Sequence, residues 1–160
     1  LGIPTRDGFI VPTVLPRKDL HRKEEGRLRQ EILGHLATLE SDIARNEGTP
    51  VRLGDPAEPL LLAIRGGSVF SMPGMLCTVV FAGMTQAVAE QLAKQDDWYA
   101  WDAFRRFLAS FAAARWGMDL EELDLVEKAK RKYGVPLKIE LPGEAMREVV
   151  EASKRAIREA

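Results

Sequence analysis

The sequence predicts an α+β chain, with a small sheet-bearing part that carries a glycine-rich loop and a helical part after it. Three observations predict this. Two short apolar runs, Leu60 to Ile64 and Leu76 to Ala82, flank a stretch holding Gly66, Gly67 and Gly74. After Thr85 the apolar residues change from continuous runs to helical spacing. The chain has 160 residues and is 46% hydrophobic, enough for one packed domain with a smaller subdomain. The boundary is placed at residues 84/85, giving a sheet-bearing part over 1–84 and a helical subdomain over 85–160.

Gly8 to Val14 reads as a short strand following a Pro-Thr-Arg-Asp turn. From Glu24 to Glu47, Leu28, Ile32, Leu36, Leu39 and Ile43 recur on one helical face, and Asn46 with Gly48 supplies the stop. A loop with Gly54, Asp55, Pro56 and Pro59 leads into Leu60-Leu61-Leu62-Ala63-Ile64, read as a strand buried on both faces. Leu76 to Ala82 then makes a hairpin or a neighbouring strand. Thr85 caps a helix to about Lys94, and a second helix runs from Trp98 to Trp116 with Trp101, Phe104, Leu108 and Phe111 along it. Asp119 and Glu122 suggest a capping box for a third helix that stops at Gly134. Pro142 opens the last helix, whose buried stripe is Met146, Val149, Val150 and Ile157. Lys154, Arg155 and Arg158 sit near its C-terminal end, where the dipole favours cations.

Bulk properties exclude several classes. The formal net charge is -1, so no strong field points to nucleic acid or an anionic membrane. Cys77 is the single cysteine, which rules out an internal disulfide and suggests a reducing, cytoplasmic compartment. With only His21 and His35 beside it, soft ligands are too few for structural zinc. The apolar runs are far shorter than a membrane span, and no stretch reads as a signal peptide. No methionine precedes Met72, which carries the expectation that the gene product begins earlier.

The chemistry lies in Ile64-Arg65-Gly66-Gly67-Ser68-Val69-Phe70-Ser71-Met72-Pro73-Gly74-Met75. Glycines let backbone approach an anion closely, and successive N–H groups converge on phosphate oxygens. Ser68 and Ser71 add hydroxyl donors, and Arg65 ends the strand with a permanently charged, planar fork. The stretch is no P-loop, because no Gly-Lys-Ser/Thr follows, and the glycine spacing does not fit a dinucleotide fingerprint. Composition alone fits a phosphate cradle and equally a glycine-rich hairpin turn with a solvated arginine.

The order of residues goes further. Arg65-Gly66-Gly67-Ser68, then Ser71-Met72-Pro73-Gly74-Met75 and Thr78, resembles the N-terminal nucleotide-binding domain of the pyruvate, phosphate dikinase family. The pattern there is Arg-Ser-Gly-Ala, two variable residues, and Ser-Met-Pro-Gly-Met-Met-Asp-Thr. Leu1-Gly2-Ile3-Pro4 with Gly8-Phe9, Gly54-Asp55 with Pro59-Leu60-Leu61, and Trp101-Asp102-Ala103-Phe104-Arg105-Arg106-Phe107 are similar to further family segments, in order. The resemblance implies an ATP-grasp-type fragment of a kinase that converts ATP, phosphate and pyruvate to AMP, pyrophosphate and phosphoenolpyruvate. The phosphoryl group would travel on a histidine of a separate swivelling domain, a partner absent from this chain. It assigns nucleotide contacts to Arg65, Gly67, Ser68, Ser71, Met72, Gly74 and Thr78, and Mg²⁺ would accompany the ATP. Arg105 and Arg106 match paired family arginines and would dock the swivelling domain; their alternative is a solvated helix face with an ion pair to Asp102.

Gly66 stands where the family has serine, Cys77 where it has aspartate, and Phe81 where it has asparagine. The family's lysine-bearing glycine-rich segment, its acidic metal ligands and its carrier histidine are absent. No catalytic base, nucleophile or metal ligand is therefore expected in this chain, which alone would turn over nothing. The departures leave a second reading, a non-catalytic nucleotide-binding or regulatory module of a degenerate relative. Of the remaining residues, His21 and His35 read as surface histidines, Trp101, Phe104 and Phe111 as core, Cys77 as a small buried hydrophobe, and Asp96-Asp97 as a helix cap.

Overall fold

The computed structural model describes residues 7–12, 22–67 and 77–160. They form α1 (Arg22–Glu47), β1 (Arg52–Leu53), β2 (Pro59–Leu60), β3 (Leu62–Arg65), β4 (Thr78–Ala82), α2 (Gln86–Leu92), α3 (Asp97–Trp116), α4 (Leu125–Tyr133) and α5 (Gly143–Glu159). The α+β class is as expected, with most of the described residues helical and the described strands confined to two small ladders.

Local chemistry explains most boundaries. Thr85 accepts a hydrogen bond from the Val88 N–H at the start of α2, and Asp96 accepts one from the Tyr99 N–H at the start of α3. Gly48, Gly117 and Gly134 each take a left-handed conformation just past a helix, which glycine reaches without a Cβ clash. The expected capping box at Asp119 is not formed. Its carboxylate instead accepts from the Glu121 N–H at 2.9 Å and closes a 3-10 turn over Glu121–Leu123. A short acceptor two residues upstream closes a local turn before a helix can nucleate, so α4 starts later, after Asp124.

The core lies between α3 and α5. Trp101, Ala103 and Phe104 of α3 meet Ala145, Met146, Val149 and Val150 of α5, with Val88 and Ala89 of α2 closing one side. All of these are buried. Asp102, also buried, holds Arg105 at 3.0 Å and Lys138 at 3.1 Å, tying α3 to the turn that precedes α5. The expected stripe Leu28, Ile32, Leu36, Leu39 and Ile43 is the less exposed face of α1, yet only Leu39 is fully buried. Glu40 fastens α1 to β1, accepting from the Leu53 N–H at 2.8 Å.

Two strand expectations need correction. Residues 7–12 carry no strand pairing; Phe9 stacks on His35 with ring centroids 5.7 Å apart, and the remainder of that expected strand lies outside the described residues. The run Leu60 to Ile64 is not one strand buried on both faces. Leu60 pairs in parallel with Leu53, whereas Leu62 to Arg65 pair antiparallel with β4. Leu60 is buried, but Ile64 is 58% exposed. The cause is layering: β4 rests on α3, and among the described residues no second layer covers β3.

Candidate phosphate-binding hairpin

β3 and β4 pair as the two arms of a hairpin, and Gly66 and Gly67 follow directly on β3. Ile64 pairs with Val79 and Arg65 with Thr78, and beyond this last pair the Gly66 N–H donates to the Cys77 carbonyl at 3.3 Å. Residues 68–76 connect the two arms and lie outside the described residues, and with them the candidate ligands Ser68, Ser71, Met72 and Gly74. Of the nucleotide candidates, the structure therefore brings Arg65 and Thr78 together as ladder partners and sets Gly67 just beyond them. Arg65, Gly66 and Gly67 are exposed. No ion pair holds Arg65 among the described residues, whereas the Gly66 amide is already spent on the hairpin.

The base of the hairpin is anchored by a close backbone approach. Gly83, at φ 104, follows β4, and a Cβ there would fall 2.5 Å from the Leu60 carbonyl oxygen and 2.7 Å from a Leu53 methyl. Only glycine fits between the β1–β2 loop and this turn. Along the hairpin burial fades from Leu60 and Ala82 at the base to the exposed tip. Cys77 belongs to that tip and is exposed, contrary to the buried role expected of it, because it precedes the part of β4 that faces α3.

The two α3 arginines differ in their surroundings. Arg105 is 12% exposed and bridges Asp102 at 3.0 Å and Glu121 at 2.6 Å, so the expected ion pair to Asp102 is present. Arg106 is exposed, and its guanidinium lies 5.3 Å from the Phe81 ring centroid. A shallow crevice beside Arg105, lined by Leu120, Glu121, Val149 and Ser153 among others, has a volume of about 10 Å³, room for a single water. Trp101 and Phe104 are core residues, whereas Phe111 is half exposed, stacks on Phe107 and meets Trp116 edge to face. His35 is exposed, and Asp96 acts as the helix cap. Two residues that the sequence pattern does not single out seat the hairpin on α3: Ser110, whose Oγ accepts from the Val80 N–H at 3.2 Å, and Phe81, at φ 55. Phe81 stands where the resemblance implies an asparagine, a residue type that tolerates a left-handed backbone better than phenylalanine does.

No protein-family model matches the chain. Curated proteins do. The chain is 38% identical over 158 residues to a chloroplastic pyruvate, phosphate dikinase of Mesembryanthemum crystallinum, covering 96% of this chain and 16% of that protein. It is 35% identical over 172 residues to pyruvate, phosphate dikinase 2 of Zea mays, covering 100% of this chain and 18% of that protein. The chain belongs to the pyruvate, phosphate dikinase family. A pyruvate, phosphate dikinase of Giardia intestinalis is more distant, 28% identical over 160 residues with 97% of this chain covered. The chain spans about a sixth of the length of these dikinases.

ATP and its metal can be tested against the residues present. An exposed guanidinium with no described ion-pair partner, a hydroxyl residue paired across from it and a glycine at the open end of the hairpin suit phosphate oxygens. Among the described residues, no group of three His, Cys, Asp or Glu side chains is placed to hold a metal. No helix among them is long and apolar enough to cross a membrane.

Proposed function

We propose that this chain supplies the nucleotide-phosphate-contacting portion of a pyruvate, phosphate dikinase-type phosphotransferase. The intact enzyme would convert ATP, phosphate and pyruvate to AMP, pyrophosphate and phosphoenolpyruvate. Residues 1–84 form the sheet-bearing part with the phosphate loop, and residues 85–160 form the helical subdomain beside it.

The observation that carries this reading is the position of Arg65. It is the last paired residue of an exposed hairpin, opposite Thr78, and it immediately precedes the Gly-Gly and Ser-Met-Pro-Gly-Met string. Its guanidinium would donate a charge-assisted pair of hydrogen bonds to phosphate oxygens, and the Thr78 hydroxyl would add one donor. The loop residues Ser68, Ser71, Met72 and Gly74 would cover the phosphates with backbone N–H groups and two side-chain hydroxyls. Since the Gly66 N–H is committed to Cys77, the loop's amide donors begin at Gly67. Mg²⁺ would neutralise phosphate charge as it does in phosphoryl transfer generally, held by groups outside the described residues. The swivelling phosphohistidine domain would dock against α3 through the exposed Arg106, with Arg105 held in place by its carboxylates.

Isothermal titration of ATP with Mg²⁺ into the chain and into Arg65→Ala tests the assignment. Loss of a charged hydrogen bond of about 1.5–3 kcal/mol predicts an affinity roughly tenfold to a hundredfold weaker. Equal affinities would remove Arg65 from the site.

A second reading, a binding or regulatory module without phosphoryl transfer, draws on Phe81. An aromatic ring there covers Arg106, where the family pattern has a polar amide. ATP binding by the chain, with no pyrophosphate formed by the full-length protein from ATP, phosphate and pyruvate, would select this reading.

A further inference from the structure

β4 joins the helical core by an irregular route. Between the pairs Leu62–Ala82 and Ile64–Val79, Val80 and Phe81 stand against Ala63 alone, which is a β-bulge. Phe81 takes φ 55, a left-handed conformation that a bulky aromatic adopts only where its surroundings impose it. One stripe of α3 imposes it here. The Val80 N–H donates to Ser110 Oγ at 3.2 Å, and that hydroxyl donates to the Phe107 carbonyl at 3.1 Å. Arg106 lies over the Phe81 ring, and Tyr99 meets the same ring edge to face at 6.4 Å. The Phe81 carbonyl accepts from the Met84 N–H at 3.0 Å, so both sides of the bulge are hydrogen-bonded.

The bulge decides which way the outer half of the hairpin faces. Side chains alternate along a strand, so removing one extra residue would turn Val79 and Thr78 over and re-pair Arg65. We propose that Ser110 is a positioning residue for the phosphate site. By taking the N–H turned out of the ladder at Val80, its hydroxyl fixes the bulge and thereby the face on which Arg65 and Thr78 meet a bound polyphosphate. This rests on the reading that Arg65 contacts phosphate. Ser110 itself touches no ligand; it acts through β4.

The test is titration of ATP with Mg²⁺ into the wild-type chain, Ser110→Ala, Arg65→Ala and the double variant, with amide exchange at Val80 followed in parallel. Ser110→Ala is expected to speed exchange at Val80 and weaken ATP binding about threefold to tenfold, the span a single hydrogen bond's net contribution corresponds to. In the Arg65→Ala background it is expected to weaken binding no further, because a misplaced guanidinium and a missing one are equivalent. Ser110→Thr and Ser110→Val share a shape and differ in the hydroxyl, which keeps the comparison readable should Ser110→Ala unfold; only the threonine variant should bind as wild type does. If Arg65→Ala weakens binding and Ser110→Ala does not, or if the two losses simply add, the positioning role is overturned while the phosphate reading stands. If Arg65→Ala binds as wild type does, both fall.

Discussion

Helices α1 and α5 both carry an amphipathic stripe that is plain in the sequence, and the fold treats them differently. In α5, Ala145, Met146, Val149 and Val150 are sealed against α3, and even Ser153 is buried, its hydroxyl returned to the Val149 carbonyl at 2.9 Å. In α1, Leu28, Ile32, Leu36 and Ile43 stay half exposed. Periodicity shows which face of a helix avoids water, but burial requires a partner surface of matching shape. The alanines of α3 give α5 that surface by letting the two helices approach closely, and no described element does so along the length of α1.

The sharpest way to break this comparison is a matched pair of truncations. Met146→Ala should lower the free energy of unfolding by about 2–5 kcal/mol, the range for removing a long apolar side chain from a packed core. Leu36→Ala, on the half-exposed stripe of α1, should cost about 1 kcal/mol or less. Urea unfolding followed by circular dichroism gives both values. Similar losses would mean that α1 is packed as tightly as α5.

Two glycines sharpen the same contrast at the level of backbone. Gly83→Ala would place a Cβ against the Leu60 carbonyl at 2.5 Å in a positive-φ turn, and a loss of about 1–3 kcal/mol is expected. Gly48 also has positive φ, but open space surrounds it, so Gly48→Ala should cost about 1 kcal/mol from conformation alone. Melting temperatures of the two variants would reverse order if the hairpin base were not clamped against the β1–β2 loop.

Most helix ends of the helical half are legible because their signals are local, the capping box at Asp119 being the exception. Thr85, Asp96, Gly117 and Gly134 mark helix ends through hydrogen bonds and φ values that involve only near neighbours. The sheet-bearing half was read less well, because burial of a strand depends on layers that no local window contains. The run Leu60 to Ile64 reads as a doubly buried strand. Its division between two ladders follows from the meeting of Gly83 with Leu60, which are far apart in sequence. Cys77 is exposed where its apolar run suggests burial for the same reason, since such a run does not reveal which of its ends reaches the core. The proposed phosphate site is carried by a continuous string of residues, Arg65 to Met75, while the device proposed to orient it has no such string. A left-handed phenylalanine runs against residue preference, and the serine that receives the freed N–H lies on a helix whose pattern says only that Ser110 is polar.

The smallest expected effect is at the edge of the core, where α4 is pinned to α5. Lys132 Nζ contacts both Glu148 oxygens, at 2.7 and 2.6 Å, and the Tyr133 hydroxyl donates to the same carboxylate at 3.3 Å. The lysine hydrogen bond holds the Glu148 carboxyl below its ordinary value of 4.5, and the same bond raises Lys132 above 10.5. A lowered carboxyl contributes stability that is complete above pH 4.5 and is lost as pH falls through the folded value. A raised lysine contributes stability that is complete below pH 10.5 and is lost as pH climbs through its folded value. The stability difference between wild type and Glu148→Gln should therefore be level between those two limits and shrink outside them. Both side chains face solvent, so the difference should be small and should weaken further in high salt. Urea midpoints of the two proteins across acid pH decide the matter. A gap that persists unchanged well below pH 4.5 would show that Glu148 holds the helices together by packing and not by its charge.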